Sequence, residues 1–70
     1  MMPLAMANLG DISIIKKING NDEIKRFLEN LGFVTGCEVI VVSKLSGDMI
    51  VSVKDSRIAI NKQIANKIMI

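Results

Sequence analysis

The chain has 70 residues, with nine basic and seven acidic side chains and a formal net charge of +2. This length predicts a single domain over residues 1–70, and the charges, which form no block of one sign, argue against nucleic acid as a partner. No apolar run reaches the ~18–20 residues needed to cross a bilayer. The single cysteine, Cys37, excludes an internal disulfide and suits a reducing compartment, so we expect a cytoplasmic protein.

The first predicted strand covers residues 12–18. Half of the chain is apolar, and the apolar residues are mainly Ile and Val, which favour strands. The doublet Ile14-Ile15 interrupts the alternation within this strand. Either both faces of the strand are partly covered, or a bulge shifts the register there.

A helix over about residues 21–31 follows the first strand. Asn21 can cap its start, and Gly32 can adopt the left-handed conformation that ends it. Apolar residues recur within it at the spacing of one helical stripe, which we expect to be buried. That stripe comprises Ile24, Phe27, Leu28 and Leu31.

The second half of the chain predicts short strands. Residues 38–45 are apolar on both faces, so we expect a central strand with its outer side covered by a helix or strand. The turn at residues 46–48 leads into a returning strand, which completes a hairpin. A brief strand at residues 57–60, a helical turn near 61–65 capped by Asn61 and a closing strand at 67–70 follow.

About five strands with one inserted helix predict a mostly β fold. Seventy residues cannot cover both faces of an open sheet, so we expect a small SH3-like antiparallel barrel. A four-stranded α+β sheet with the helix on one face is the alternative, because periodicity does not give the connectivity at barrel corners.

The chain offers little chemistry for catalysis or metal binding. It has no histidine, no cysteine pair and no close carboxylate cluster, and Cys37 therefore lacks a histidine base. We expect neither an enzyme nor a metal site or cofactor. Gly32 and Gly36 are better explained by a helix end and a turn than by a phosphate loop.

A protein-binding surface remains. Phe33 and Val34 follow the helix end and are candidate exposed anchors, although ordinary packing beneath the loop explains them equally well. Phe27 lies on the stripe expected to be buried, which leaves no aromatic platform for stacking nucleic acid bases.

The segment Lys25–Val39, KRFLENLGFVTGCEV, resembles the central signature of the FeoA family of small ferrous iron transport accessory proteins. Thr35 and Met49 stand where that family often has proline. Flanking segments extend the resemblance over nearly the whole chain: Met2-Pro3-Leu4, Leu9-Gly10-Asp11, Ser46–Ile50, Arg57–Ile60 and Ala65–Ile70.

The resemblance implies an SH3-like barrel in a cytoplasmic, non-enzymatic protein that regulates ferrous iron uptake. Its partner would be the membrane transporter FeoB, whose cytosolic part contains a GTP-binding domain, so contact with the membrane would be indirect. We place the partner surface at Arg26, Asn30, Phe33 and Val34, with Phe33 as the anchor and Arg26 as a steering charge.

An alternative function is a small barrel that binds a transition metal or nucleic acid, related to the C-terminal domain of iron-dependent repressors. Such a repressor also needs a helix-turn-helix and metal-ligating histidines, which this chain lacks. A free-standing accessory protein is therefore favoured.

Overall fold

The computed structural model describes residues 1–70 and is mostly β, with one main helix. Six strands, rather than about five, surround the core, because the first predicted strand is divided. A 3-10 turn at Leu4–Met6 precedes them. The elements in chain order are β1 (Ile12–Ile14), β2 (Lys17–Ile18), α1 (Asp22–Leu31), β3 (Glu38–Leu45), β4 (Asp48–Val53), β5 (Ser56–Ile60), α2 (Lys62–Ala65) and β6 (Ile68–Met69).

The first predicted strand divides at Ile15 and Lys16. Ile15 is fully buried and hydrogen bonds with the segment before β3, whereas the Lys16 N–H donates to the Met69 carbonyl of the opposite sheet at 2.8 Å. The chain therefore bends from one sheet to the other here. This corner, rather than a bulge or a covered outer face, explains the Ile14-Ile15 doublet.

Two antiparallel sheets enclose the core. The larger has the order β1-β3-β4-β5, and the smaller pairs β2 with β6. The inward positions of β3 and β4 alternate with outward ones, as expected for strands with one buried face. The largest fully buried side chains are Phe33, Leu4, Ile15, Leu28, Ile68, Val39, Val41, Val51 and Val53.

A bulge in β3 redirects its last residues. The register shifts between Val41 and Ser43. As a result the cross-strand partner of the buried Met49 is Lys44 rather than Ser43. The Lys44 Nζ then donates a hydrogen bond of 2.9 Å to the carbonyl of Ala7, just after the 3-10 turn. This hydrogen bond joins the N-terminal segment to the larger sheet.

Both predicted ends of α1 are confirmed. The Asn21 Oδ1 accepts a hydrogen bond from the Ile24 N–H at 2.9 Å, and Gly32 takes φ 108° at the other end. Asn61 caps α2 in the same way through the Ile64 N–H at 2.8 Å. Neither helix has the length and hydropathy of a membrane span.

Replacing the cap of α1 tests its contribution. We expect Asn21→Ala to lower the free energy of unfolding by about 1 kcal/mol, because the Ile24 N–H loses its acceptor. Urea denaturation measures the change. Asn19→Ala is the control, since Asn19 is also exposed but lies outside the helix; an equal loss from both variants would contradict the role of the cap.

Candidate functional site

The predicted partner surface is only partly exposed. Arg26 and Asn30 are exposed on α1, and Val34 is half-buried beyond the helix end. Phe33, however, has an exposed fraction of 0%. The prediction that Phe33 is an exposed anchor is therefore wrong, and the alternative of packing beneath the loop is correct.

The helix ending explains why Phe33 is buried. The Phe33 N–H donates to the Leu28 carbonyl at 3.0 Å, and the Gly32 N–H donates to the Glu29 carbonyl at 2.9 Å. This pair of bonds defines a Schellman motif, in which the residue after the left-handed glycine packs against the last helical turn. Phe33 and Leu28 are both fully buried and belong to one core cluster.

The exposed aromatic side chain is Phe27, with an exposed fraction of 56%. The prediction that Phe27 is buried is wrong because it lies at the edge of its stripe, about 100° around the helix from Leu28. Leu28 points into the core, and Ile24 and Leu31 are half-buried beside it. Phe27 therefore belongs to the solvent side of the helix.

The solvent side of α1 has its own stripe. Its members are spaced at i, i+3, i+4 and i+7, so they form one continuous surface, which we call the helix face. All four members are exposed. The helix face consists of Glu23, Arg26, Phe27 and Asn30. It combines the exposed aromatic ring with a guanidinium, a carboxylate and an amide, which are groups suited to contact with another protein.

The outer face of the larger sheet is a second exposed apolar surface. Ile12 pairs with Ile40 across β1 and β3, and Ile50 pairs with Ala59 across β4 and β5. The exposed fractions of Ile12 and Ile50 are 65% and 40%. The strand β3 is central in this sheet, as expected, and its own outward residues Ile40 and Val42 are half-buried.

Sequence reasoning missed this outer face, although strands with apolar residues at consecutive positions carried the signal. Apolar residues at consecutive positions indicate that both faces of such a strand are apolar. They do not show whether a second layer covers the outer face. Leu45, at the hairpin end of β3, is 76% exposed and extends the surface.

Groups suited to metal ligation are scattered. No group of three or more Cys, Asp or Glu side chains comes together. Cys37 is a free, half-buried thiol beside a shallow depression that Glu38, Lys54 and Asp55 also line. That depression contains charges of both signs.

The two curled antiparallel sheets and the single main helix define a small SH3-like barrel. The FeoA domain model matches residues 2–70, so the chain belongs to the FeoA family. A curated relative from Methanocaldococcus jannaschii, "Putative Fe(2+) transport protein A", is 37% identical over 70 residues, which are 100% of this chain and 85% of the relative.

Solved structures show the same fold. An iron uptake regulatory protein, FeoA, is 30% identical with a TM-score of 0.87, covering 96% of this chain and 89% of that one. The FeoA of Stenotrophomonas maltophilia, a prokaryotic SH3 domain protein solved with zinc, is 29% identical with a TM-score of 0.85 and covers 99% and 88%. A manganese-dependent transcriptional repressor, 16% identical, shares the fold over 94% of this chain and 38% of its own, with a TM-score of 0.85.

Proposed function

We propose that this chain is a non-enzymatic, cytoplasmic accessory protein of ferrous iron transport that binds the cytosolic part of FeoB. Membership of the FeoA family supports the proposal. The Methanocaldococcus relative carries an Fe(2+) transport name, and the Stenotrophomonas protein has been linked to the activation of ferrous iron transport.

The exposed Phe27 is the observation that carries the proposed mode of action. Complete burial of a fully exposed phenylalanine is worth about 1.5–3 kcal/mol. Phe27 is 56% exposed, so a partner that covers the rest of the ring gains roughly half of that, about 1–1.5 kcal/mol. Aromatic and arginine side chains are enriched among the residues that dominate protein interfaces. Phe27 therefore replaces Phe33 as the proposed anchor.

The neighbours of Phe27 have separate proposed roles. Arg26 is an exposed cation that steers an acidic surface of the transporter toward the helix. Asn30 supplies an amide donor and acceptor at the rim of the contact. Val34, which is half-buried beyond the helix end, extends the apolar contact in that direction.

Uptake of ferrous iron by cells tests the proposed function. Cells that contain the transporter but lack this chain should take up less ferrous iron, and the wild-type chain should restore uptake. Phe27→Asp should not restore it, because a carboxylate would be buried without a partner. Equal uptake with and without the chain would contradict the proposal.

Direct metal binding is the alternative, and the zinc complex of the Stenotrophomonas protein is the observation that favours it. Titration of the purified chain with ferrous iron under anaerobic conditions separates the two. We expect no saturable stoichiometric uptake by the wild-type chain. Tight one-to-one binding that is lost in Cys37→Ser would favour the alternative.

A further inference from the structure

The strand β1 lies at an edge of the larger sheet and pairs only with β3. The Ile15 N–H donates to the Cys37 carbonyl at 2.9 Å, and the Ile15 carbonyl accepts from the Gly36 N–H at 2.8 Å. Ile15 therefore points both its N–H and its C=O toward the segment that leads into β3. Because these directions alternate along a strand, Ser13 faces β3 as well, whereas Ile12 and Ile14 point their N–H and C=O groups away from the sheet.

These outward groups are available to another strand. Neither Ile12 nor Ile14 takes part in the hydrogen bonds that join turns, caps and loops. Their side chains are also exposed, by 65% and 45%. The strand contains no charged residue and no proline, two of the features that commonly protect an edge from pairing, and its shortness, three residues, limits the contact to one small ladder. The opposite edge strand, β5, carries Arg57.

The sequence of β1 is complementary to itself. If two copies pair antiparallel about a two-fold axis at Ser13, Ile12 of each copy lies opposite Ile14 of the other. Both residues of each such pair have outward peptide groups, so each pair can exchange two hydrogen bonds. The apolar side chains of the four isoleucines then lie on one face of the joined sheet.

Charge at the two ends of β1 supports the same pairing. Asp11 precedes the strand and Lys16 follows it, and both side chains are exposed. In this register Asp11 of one copy lies opposite Ile15 of the other, one residue from Lys16, so opposite charges are neighbours at each end of the ladder, and the two-fold axis repeats the arrangement. A parallel arrangement would instead bring like charges together.

We propose that two copies of this chain associate through β1 and join their four-stranded sheets into one continuous sheet. Three residues of each copy form the ladder, so the contact is smaller than the ~800 Å² per partner of a standard interface. The dimer is therefore weak, with a dissociation constant on the order of 0.1 mM.

Amide hydrogen exchange, measured together with sedimentation velocity over a range of concentrations, tests the proposal on the wild-type chain. As the dimer forms, exchange at the Ile12 and Ile14 amides should slow, while the Ser13 amide, which already faces β3, should change little. Absence of self-association at about 1 mM would overturn the proposal. Association that leaves the Ile12 and Ile14 amides unchanged would also overturn it.

Charge reversal tests the antiparallel register. Lys16→Asp places two carboxylates at each end of the ladder and should weaken association about tenfold. Adding Asp11→Lys should restore most of the loss; because the Asp11 Oδ2 accepts a hydrogen bond of 2.9 Å from the Asn8 N–H, circular dichroism first checks that the double variant is folded. Lys62→Asp makes the same charge change at an exposed position on α2 and should leave association unchanged. Equal effects of Lys16→Asp and Lys62→Asp would contradict the register.

Discussion

Phe33→Ala should lower the free energy of unfolding by about 3–5 kcal/mol, the largest stability effect that we expect from a single substitution here. Phe33 is the largest fully buried side chain, and its truncation leaves a cavity beside Leu28 at the end of α1. At about 0.05–0.15 kcal/mol per residue, a protein of this size has a total stability of only ~4–10 kcal/mol. Denaturation in urea, followed by circular dichroism, measures the loss.

Phe27→Ala is the matched control for stability, because it makes the same chemical change on the same segment. Phe27 is 56% exposed, so we expect the loss to stay below about 1 kcal/mol. A similar cost for the two variants would show that the burial described for α1 and the following loop is incorrect.

The second large effect concerns binding. Phe27→Ala should weaken the complex with the cytosolic part of FeoB by about tenfold, or ~1.4 kcal/mol, because the ring is the proposed apolar anchor of the contact. Calorimetric titration of the purified components measures the dissociation constant. We expect the variant to keep its fold, which circular dichroism checks, so that the loss is attributable to the missing contact.

Leu45→Ala is the control for surface position. Leu45 is 76% exposed, but it lies on the outer face of the larger sheet, at the hairpin end of β3, and not on α1. Its truncation should leave the dissociation constant unchanged. If Leu45→Ala weakens binding and Phe27→Ala does not, the transporter contacts the sheet rather than the helix face.

Much of the fold could be predicted because its signals are local. Asn21 and Gly32 mark the start and end of α1 through backbone geometry that depends only on nearby residues. In β4, every second residue is apolar and buried, as the two-residue period of a strand predicts; these residues are Met49, Val51 and Val53.

The division of the first strand could not be predicted in the same way. A doublet such as Ile14-Ile15 is compatible with a bulge, a doubly covered strand or a corner. The corner forms because Lys16 pairs with Met69, more than fifty residues later in the chain, and local periodicity carries no information about that contact.

The candidate site shows the same limit. Phe27 is exposed and Phe33 is buried, the reverse of what we expected. For Phe27 the reason is that a 3.6-residue period defines the centre of a buried stripe better than its edge. A local signal did exist for Phe33: an apolar residue directly after the glycine that ends a helix commonly packs back onto its last turn. For Phe27 the signal was the polar residues that share its side of α1, Glu23, Arg26 and Asn30.

Binding of the wild-type chain to the purified cytosolic part of FeoB is the most direct test of the proposed function. We predict saturable binding with a dissociation constant in the micromolar range, about 1–10 µM, which Phe27→Ala weakens and Leu45→Ala does not. If the wild-type chain shows no saturable binding at concentrations up to about 1 mM, the proposed binding to FeoB is contradicted.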